Sequence, residues 1–161
     1  MTIAVGDRIP DVKVMTMAPS GPQPVQTGDA LGRGKVVLFA VPGAFTPTCS
    51  DHHLPGFVLR ADDLKAKGVD TIACVAVNDP FVMGAWGKDR QVDDKVLLLA
   101  DGNADFTRAM GLELDGSGLA LGTRSQRYAA VLQDGVVTAL NVEPDPTGVS
   151  VASADSMLAA L

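Results

Sequence analysis

Three apolar runs set the strongest limit on the fold. "KVVLFAV" (Lys35–Val41), "VDTIACVAV" (Val69–Val77) and "VLLLA" (Val96–Ala100) are continuous rather than alternating. A strand with one wet face alternates, so a short run that stays apolar belongs to a strand buried on both faces. Between these runs lie segments with helical spacing. "LPGFVLRADDLKAKG" puts Leu54, Phe57, Val58, Ala61 and Leu64 on one face and stops at Gly68. "DPFVMGAWGKDR" offers Asp79 as an N-cap and Pro80 at the first helical position. Its Phe81 and Trp86 form an apolar patch suited to core packing or to a subunit contact. "NADFTRAMGL" is a shorter third helix. "RYAAVL" and "VVTALNV" then read as a hairpin turning at Asp134-Gly135, and "ASADSMLAAL" as a closing helix. This order predicts an α/β sandwich, a central mixed β-sheet flanked by α-helices. "APSGPQPVQTGDALGRG" (Ala18–Gly34) reads as a surface excursion with a short turn of helix. No repeat or long linker divides the chain, so residues 1–161 are expected to form a single domain.

Composition narrows the partners. Hydrophobic residues make up 47% of the chain and the formal net charge is −6, which disfavours nucleic acid and anionic membrane surfaces. No apolar run approaches the ~20 residues of a membrane span. "MTIAVGDRIP" lacks the basic start and long apolar stretch of a signal peptide. The expected location is therefore cytoplasmic, where thiols stay reduced. Two cysteines in such a compartment serve as buried hydrophobes, reactive thiols or metal ligands more often than as a structural disulfide.

One of them, Cys49, lies in "VPGAFTPTCS" (Val41–Ser50), which leaves the first buried run and leads into the first helical segment. A cysteine in the first turn of a helix meets free N–H groups and the positive end of the helix dipole, and both favour thiolate over thiol. Pro42 and Pro47 stiffen the loop, Pro47 suits a first-turn position, and Pro55 is expected to kink the helix. The hydroxyl of Thr46, three residues before Cys49, could bridge between the sulfur and an oxygen bound beside it. Donors fixed in advance around a breaking O–O bond would stabilise the transition state as the thiolate becomes a sulfenic acid.

These residues carry a resemblance. "PGAFTPTC" (Pro42–Cys49) matches the peroxiredoxin pattern Pro-x-x-x-Thr-x-x-Cys, and "SDHHLPGF" (Ser50–Phe57) resembles the type II, or five-type, subfamily. The similarity continues through "KAKGVDTIACVAVNDPFVMGAWG", "KVLLLAD", "RSQRYAAVLQDGVV" and "LNVEPD", nearly the whole chain. It implies a thioredoxin-like fold, no cofactor, and a thiol-dependent peroxidase acting on hydrogen peroxide and organic hydroperoxides. Cys49 takes the place of the peroxidatic cysteine, Thr46 of the hydroxyl that orients peroxide, and Pro42 of the residue that shields the pocket. Arg127, in "RSQRY", takes the place of the arginine that stabilises the thiolate and binds peroxide; spacing alone does not bring it to Cys49. His53 matches a histidine that supports the pocket. The implied partners are peroxide, a thiol reductant (glutathione with glutaredoxin, or thioredoxin) and a second copy of the chain in a homodimer.

Alternatives stand beside these assignments. Cys74, within "TIACVAV", fits a buried small hydrophobe, and it also stands where some type II members carry a resolving cysteine. Cys49, His52 and His53 fall at i, i+3 and i+4, a spacing zinc accepts, but a fourth ligand is wanting and no metal site is expected. "GSGLALG" (Gly116–Gly122) does not have the Gly-x-Gly-x-x-Gly order and reads as a flexible loop. A redox sensor that relays oxidation from Cys49 to a partner protein is the alternative function.

Overall fold

The computed structural model describes all 161 residues. Nine strands follow in order: β1 (Lys13–Ala18), β2 (Gly21–Gln26), β3 (Lys35–Ala40), β4 (Thr71–Ala76), β5 (Leu97–Ala100), β6 (Glu113–Asp115), β7 (Thr123–Ser125), β8 (Tyr128–Gln133) and β9 (Val136–Val142). Seven of them form one sheet in the order β2-β1-β5-β4-β3-β8-β9, and β6 pairs with β7 apart from it. The three apolar runs occupy its middle: β3 and β5 both run parallel to β4, while β8 pairs antiparallel with β3. The mixed sheet predicted from the sequence is present.

Alternation along these strands divides the core into two layers. Val37, Phe39, Ile72, Cys74, Ala129 and Val131 face one side. They are covered by α2 (Leu54–Leu59), α3 (Ala61–Ala66), α4 (Pro80–Asp89) and α6 (Ala154–Ala160). Val36, Leu38, Ala73, Val75, Leu99, Ala130 and Leu132 face the other, beneath Ile3, Ile9, Leu31 and the Phe106 and Met110 of α5 (Asp105–Met110). Strands buried on both faces are why the runs show no polar alternation.

Several local expectations hold for the reasons given. The Asp79 side chain accepts from Val82 N–H at 2.8 Å and caps α4. Asp134 and Gly135 have φ of 50° and 83°, the positive pair a two-residue hairpin turn requires. Ser153 caps α6 by accepting from Ser156 N–H.

Other segments differ. Ala18–Gly34 is not a mere excursion: β2 lies within it as an edge strand, followed by the short α1 (Thr27–Ala30). Pro22 and Pro24 stand opposite Met17 and Met15 in the ladder. An edge strand tolerates proline because alternate N–H groups point away from the sheet, and the same prolines discourage further pairing there. "GSGLALG" is not a bare loop either, for it holds a 3₁₀ turn over Ser117–Leu119 inside the β6–β7 hairpin. The first helical segment is broken at Arg60, where φ is −99° and ψ is 11°, although Leu54, Phe57, Ala61 and Leu64 are all buried as predicted. Ahead of α2 the chain makes a π-helical turn over Cys49–His53, in which Leu54 N–H donates to Cys49 O, five residues back. Pro55 follows this wide turn directly. The proline has no N–H to give and crowds the turn before it, and a widened turn removes that conflict more gently than a sharp kink.

Candidate active site

Cys49 lies in the first turn of the helix that follows β3. Ser50 N–H gives a helical bond to Thr46 O at 3.0 Å, so the N–H of Cys49 precedes the ladder and belongs to the free first turn. The sulfur is buried rather than displayed. Trp86 of α4 donates Nε1–H to Ser50 Oγ at 2.9 Å, tying the π-helical turn to the neighbouring helix.

Arg127 comes to this sulfur from the far side of the sequence. It stands immediately before β8, the antiparallel neighbour of β3, so the sheet order carries it to the end of β3 from which the Cys49 loop departs. Its Nη2 donates to Cys49 Sγ at 3.0 Å, its Nη1 meets His53 Nδ1 at 2.8 Å, and its Nε donates to Pro146 O at 3.1 Å. The guanidinium is only 1% exposed, and none of these three partners is a carboxylate. A cation taken out of water without an anion is costly. The sulfur of Cys49 is the one contacting group able to carry a negative charge.

His53 completes the arrangement. Its Nε2 meets Ala152 O at 2.7 Å, and a carbonyl only accepts, so the proton sits on Nε2 and Nδ1 accepts from Arg127. The ring lies against Phe39 and Phe57, with centroids 4.9 and 5.6 Å away. Burial, reinforced by the Arg127 charge, lowers its pKa from 6.5 to about 3. His53 is therefore a neutral acceptor and adds no second cation.

The loop before Cys49 is held from two sides. Thr46 Oγ1 donates to Gly43 O at 2.6 Å and makes no hydrogen bond to Sγ, so the bridging role expected of it becomes a different one. With its proton committed, the hydroxyl oxygen keeps lone pairs with which to accept. Pro42 is buried in the same loop, and Ala44 N–H donates to Asn78 Oδ1 at 2.9 Å. Arg124, which sequence reasoning passed over, donates to Leu121 O and Val77 O and packs on this loop. A Cβ on Gly43 would lie 2.9 Å from its Nη1. Two arginines three residues apart in "TRSQR" gave no signal as to which turns inward.

Cys74 sits in the middle of β4 between Phe39 of β3 and Leu98 of β5, fully buried. It faces the same core layer as Cys49, and both cysteines are free. Burial raises the Cys74 thiol well above its ordinary range, with the neighbouring Cys49 charge adding to the rise and Arg127 opposing it. The Cys49, His52 and His53 set does not converge on a point. His52 is exposed, both nitrogens of His53 are engaged, and no group of three or more His, Cys, Asp or Glu side chains is placed to hold a metal. No helix is long and apolar enough to cross a membrane.

Comparison with known proteins agrees with this geometry. The profile of the redoxin family matches residues 4–158. The chain is 50% identical to chloroplastic peroxiredoxin-2E of Arabidopsis thaliana, over 99% of this chain and 70% of that protein. It is 48% identical to peroxiredoxin-2B of the same plant, over 99% and 98%. Reduced Prx3 of Vibrio vulnificus in complex with hydrogen peroxide superposes with a TM-score of 0.93 at 50% identity, covering 99% of both chains.

Proposed function

The chain belongs to the peroxiredoxin family of thiol-dependent peroxidases, and from that premise we propose that Cys49 is its peroxidatic thiol and Arg127 the cation that holds it ready. The observation that carries this reading is the 3.0 Å bond from a buried guanidinium, unpaired with any carboxylate, to the Cys49 sulfur. That a structural neighbour was solved in complex with hydrogen peroxide supports peroxide as the substrate here.

The thiolate of Cys49 attacks one peroxide oxygen. An S–O bond forms as the O–O bond breaks, and the departing hydroxide or alkoxide takes a proton and leaves as water or alcohol. Thr46 accepts a hydrogen bond from the peroxide O–H and so orients it, since its own proton is held by Gly43 O. The N–H groups of Arg127 and of the first helical turn stabilise the charge that develops on the leaving oxygen. Pro42 limits solvent access. His53 fixes the guanidinium in the plane from which it reaches the sulfur.

A peroxiredoxin takes peroxide as substrate and a thiol reductant such as thioredoxin. Glutathione with glutaredoxin, or thioredoxin, is the proposed reductant here. The burial of Cys74 in mid-strand and its raised pKa favour a core role over a resolving one, so the resolving thiol comes from outside. The proposed assembly is a homodimer, supported by exposed Phe45 of the Cys49 loop, Phe81 in the first turn of α4 and Leu119 of the 3₁₀ turn, on segments linked through Asn78 and Arg124. The proposed location is the cytoplasm, whose reducing poise suits two free thiols.

Peroxide consumption by Cys49→Ser tests the reading. It is expected to vanish while the near-ultraviolet circular dichroism of Trp86 and Tyr128 stays native. Retained turnover would overturn it.

A further inference from the structure

The loop after β9, residues 143–152, contacts Arg127, His53 and Thr48 around the Cys49 sulfur, and one carboxylate closes that loop. Glu143 N–H donates to Arg127 O at 2.9 Å, which sets the two residues side by side at the open end of the β8–β9 hairpin. From there the chain passes over the guanidinium. Pro146 O accepts from Arg127 Nε, Thr147 O accepts from Thr48 Oγ1 at 2.8 Å, and Ala152 O accepts from His53 Nε2. The loop has no strand or helix of its own to keep these carbonyls in place. Asp145 Oδ1 accepts from Thr147 N–H and Oγ1 at 2.9 and 2.7 Å, and the Glu143 carboxylate fixes the end that carries Ala152: Oε2 accepts from the N–H groups of Ser150, Val151 and Ala152 at 2.9, 2.8 and 2.6 Å, and Oε1 from Ser150 Oγ at 2.8 Å. Burial alone would raise its pKa, but these donors outweigh burial and lower it, so Glu143 is ionised when the site works.

We propose that Glu143 is a positioning residue for peroxide reduction, acting on Cys49 through Ala152, His53 and Arg127. This rests on the reading of Cys49 as the peroxidatic thiol. Glu143 touches neither the sulfur nor the guanidinium with its carboxylate. It holds the carbonyl that fixes the His53 ring, the ring that accepts from Arg127 Nη1, and so the direction in which Nη2 points. A guanidinium free to turn loses its sulfur contact without leaving the core.

The test is a double-mutant cycle on the second-order rate of hydrogen peroxide reduction, read by stopped-flow Trp86 fluorescence on pre-reduced protein. Loss of the aiming contact in Glu143→Ala is expected to slow the reaction about tenfold or more. In Arg127→Ala, adding Glu143→Ala is expected to change the rate by less than about twofold, since residues acting through one contact are not additive. A wild-type rate in Glu143→Ala, or a full additional loss in the double variant, would overturn the proposal. Should Glu143→Ala not fold, Glu143→Gln carries the test. Its neutral oxygen accepts the same N–H groups more weakly, so a loss of about three- to tenfold is expected, again absent in the Arg127→Ala background. A wild-type rate in that variant, or additive losses, would overturn the proposal. A wild-type enzyme that does not reduce peroxide, or an Arg127→Ala variant that loses nothing, would instead indict the reading of Cys49 and Arg127.

Discussion

Arg127 and Cys49 are 78 residues apart in the chain and 3.0 Å apart in space. The contact is a product of sheet order: β8 lies beside β3, Arg127 precedes β8, and Cys49 follows β3.

Arg127→Lys keeps the charge and loses the fork. An ammonium is a point donor on a flexible stem and cannot hold His53 Nδ1, Pro146 O and the sulfur in one plane. Losing one charge-assisted bond costs about 1.5–3 kcal/mol, so peroxide reduction is expected to slow by about 10- to 100-fold. Stopped-flow rates on the reduced variant, with its melting temperature as control, check this. An unchanged rate would mean that charge alone suffices.

His53 predicts the acid side of the stability profile. The folded protein holds it neutral down to about 3, whereas an unfolded histidine protonates near 6.5. Between these values the unfolded chain binds a proton that the folded chain refuses. Stability is therefore full above about pH 6.5 and falls as the pH drops toward 3, at up to about 1.4 kcal/mol per pH unit from this group. Denaturant titrations from pH 7 to pH 4 should show that slope in the wild type and a shallower one in His53→Gln. Equal slopes would mean that the buried imidazole is not neutral.

The sequence made some of this plain and hid the rest, for physical reasons. The runs that became β3, β4 and β5 have no other use in a chain of this size, and a cysteine between Pro47 and the next helical segment is bound to lie in a first turn. The β1–β2 hairpin was hidden because Pro22 and Pro24 are strand breakers everywhere except at an edge, and edges are decided by topology. The π-helical turn at Cys49–His53 answers to Pro55 and to the Trp86–Ser50 bond, of which only the proline is local. Arg127 was assigned through resemblance alone, and Arg124 went unnoticed because it reaches Val77, 47 residues away; the donors to Glu143 are near in the chain, but they bear on the site only through Ala152 and the distant His53.

Cys74 offers a separation of two roles. If it is core, Cys74→Ala is expected to leave turnover with glutathione and glutaredoxin, and with thioredoxin, within about twofold of wild type while lowering stability by about 1 kcal/mol. Thioredoxin-supported turnover that vanishes in the variant would make Cys74 the resolving thiol.

The exposed Phe45 and Phe81 make the assembly testable. Phe81 is 66% exposed and Phe45 50%, so a charge placed on this surface costs the monomer little. Phe81→Asp is expected to shift sedimentation from dimer to monomer without loss of melting temperature. A wild-type protein that sediments as a monomer would refute the proposed homodimer.

The most direct measurement mixes reduced protein with one equivalent of hydrogen peroxide, traps sulfenic acid with a carbon nucleophile, and maps the labelled sulfur by mass spectrometry. The expected result is a label on Cys49 alone, formed at a rate that falls in Arg127→Ala. A label that appears first on Cys74, or that forms equally fast without Arg127, would contradict it.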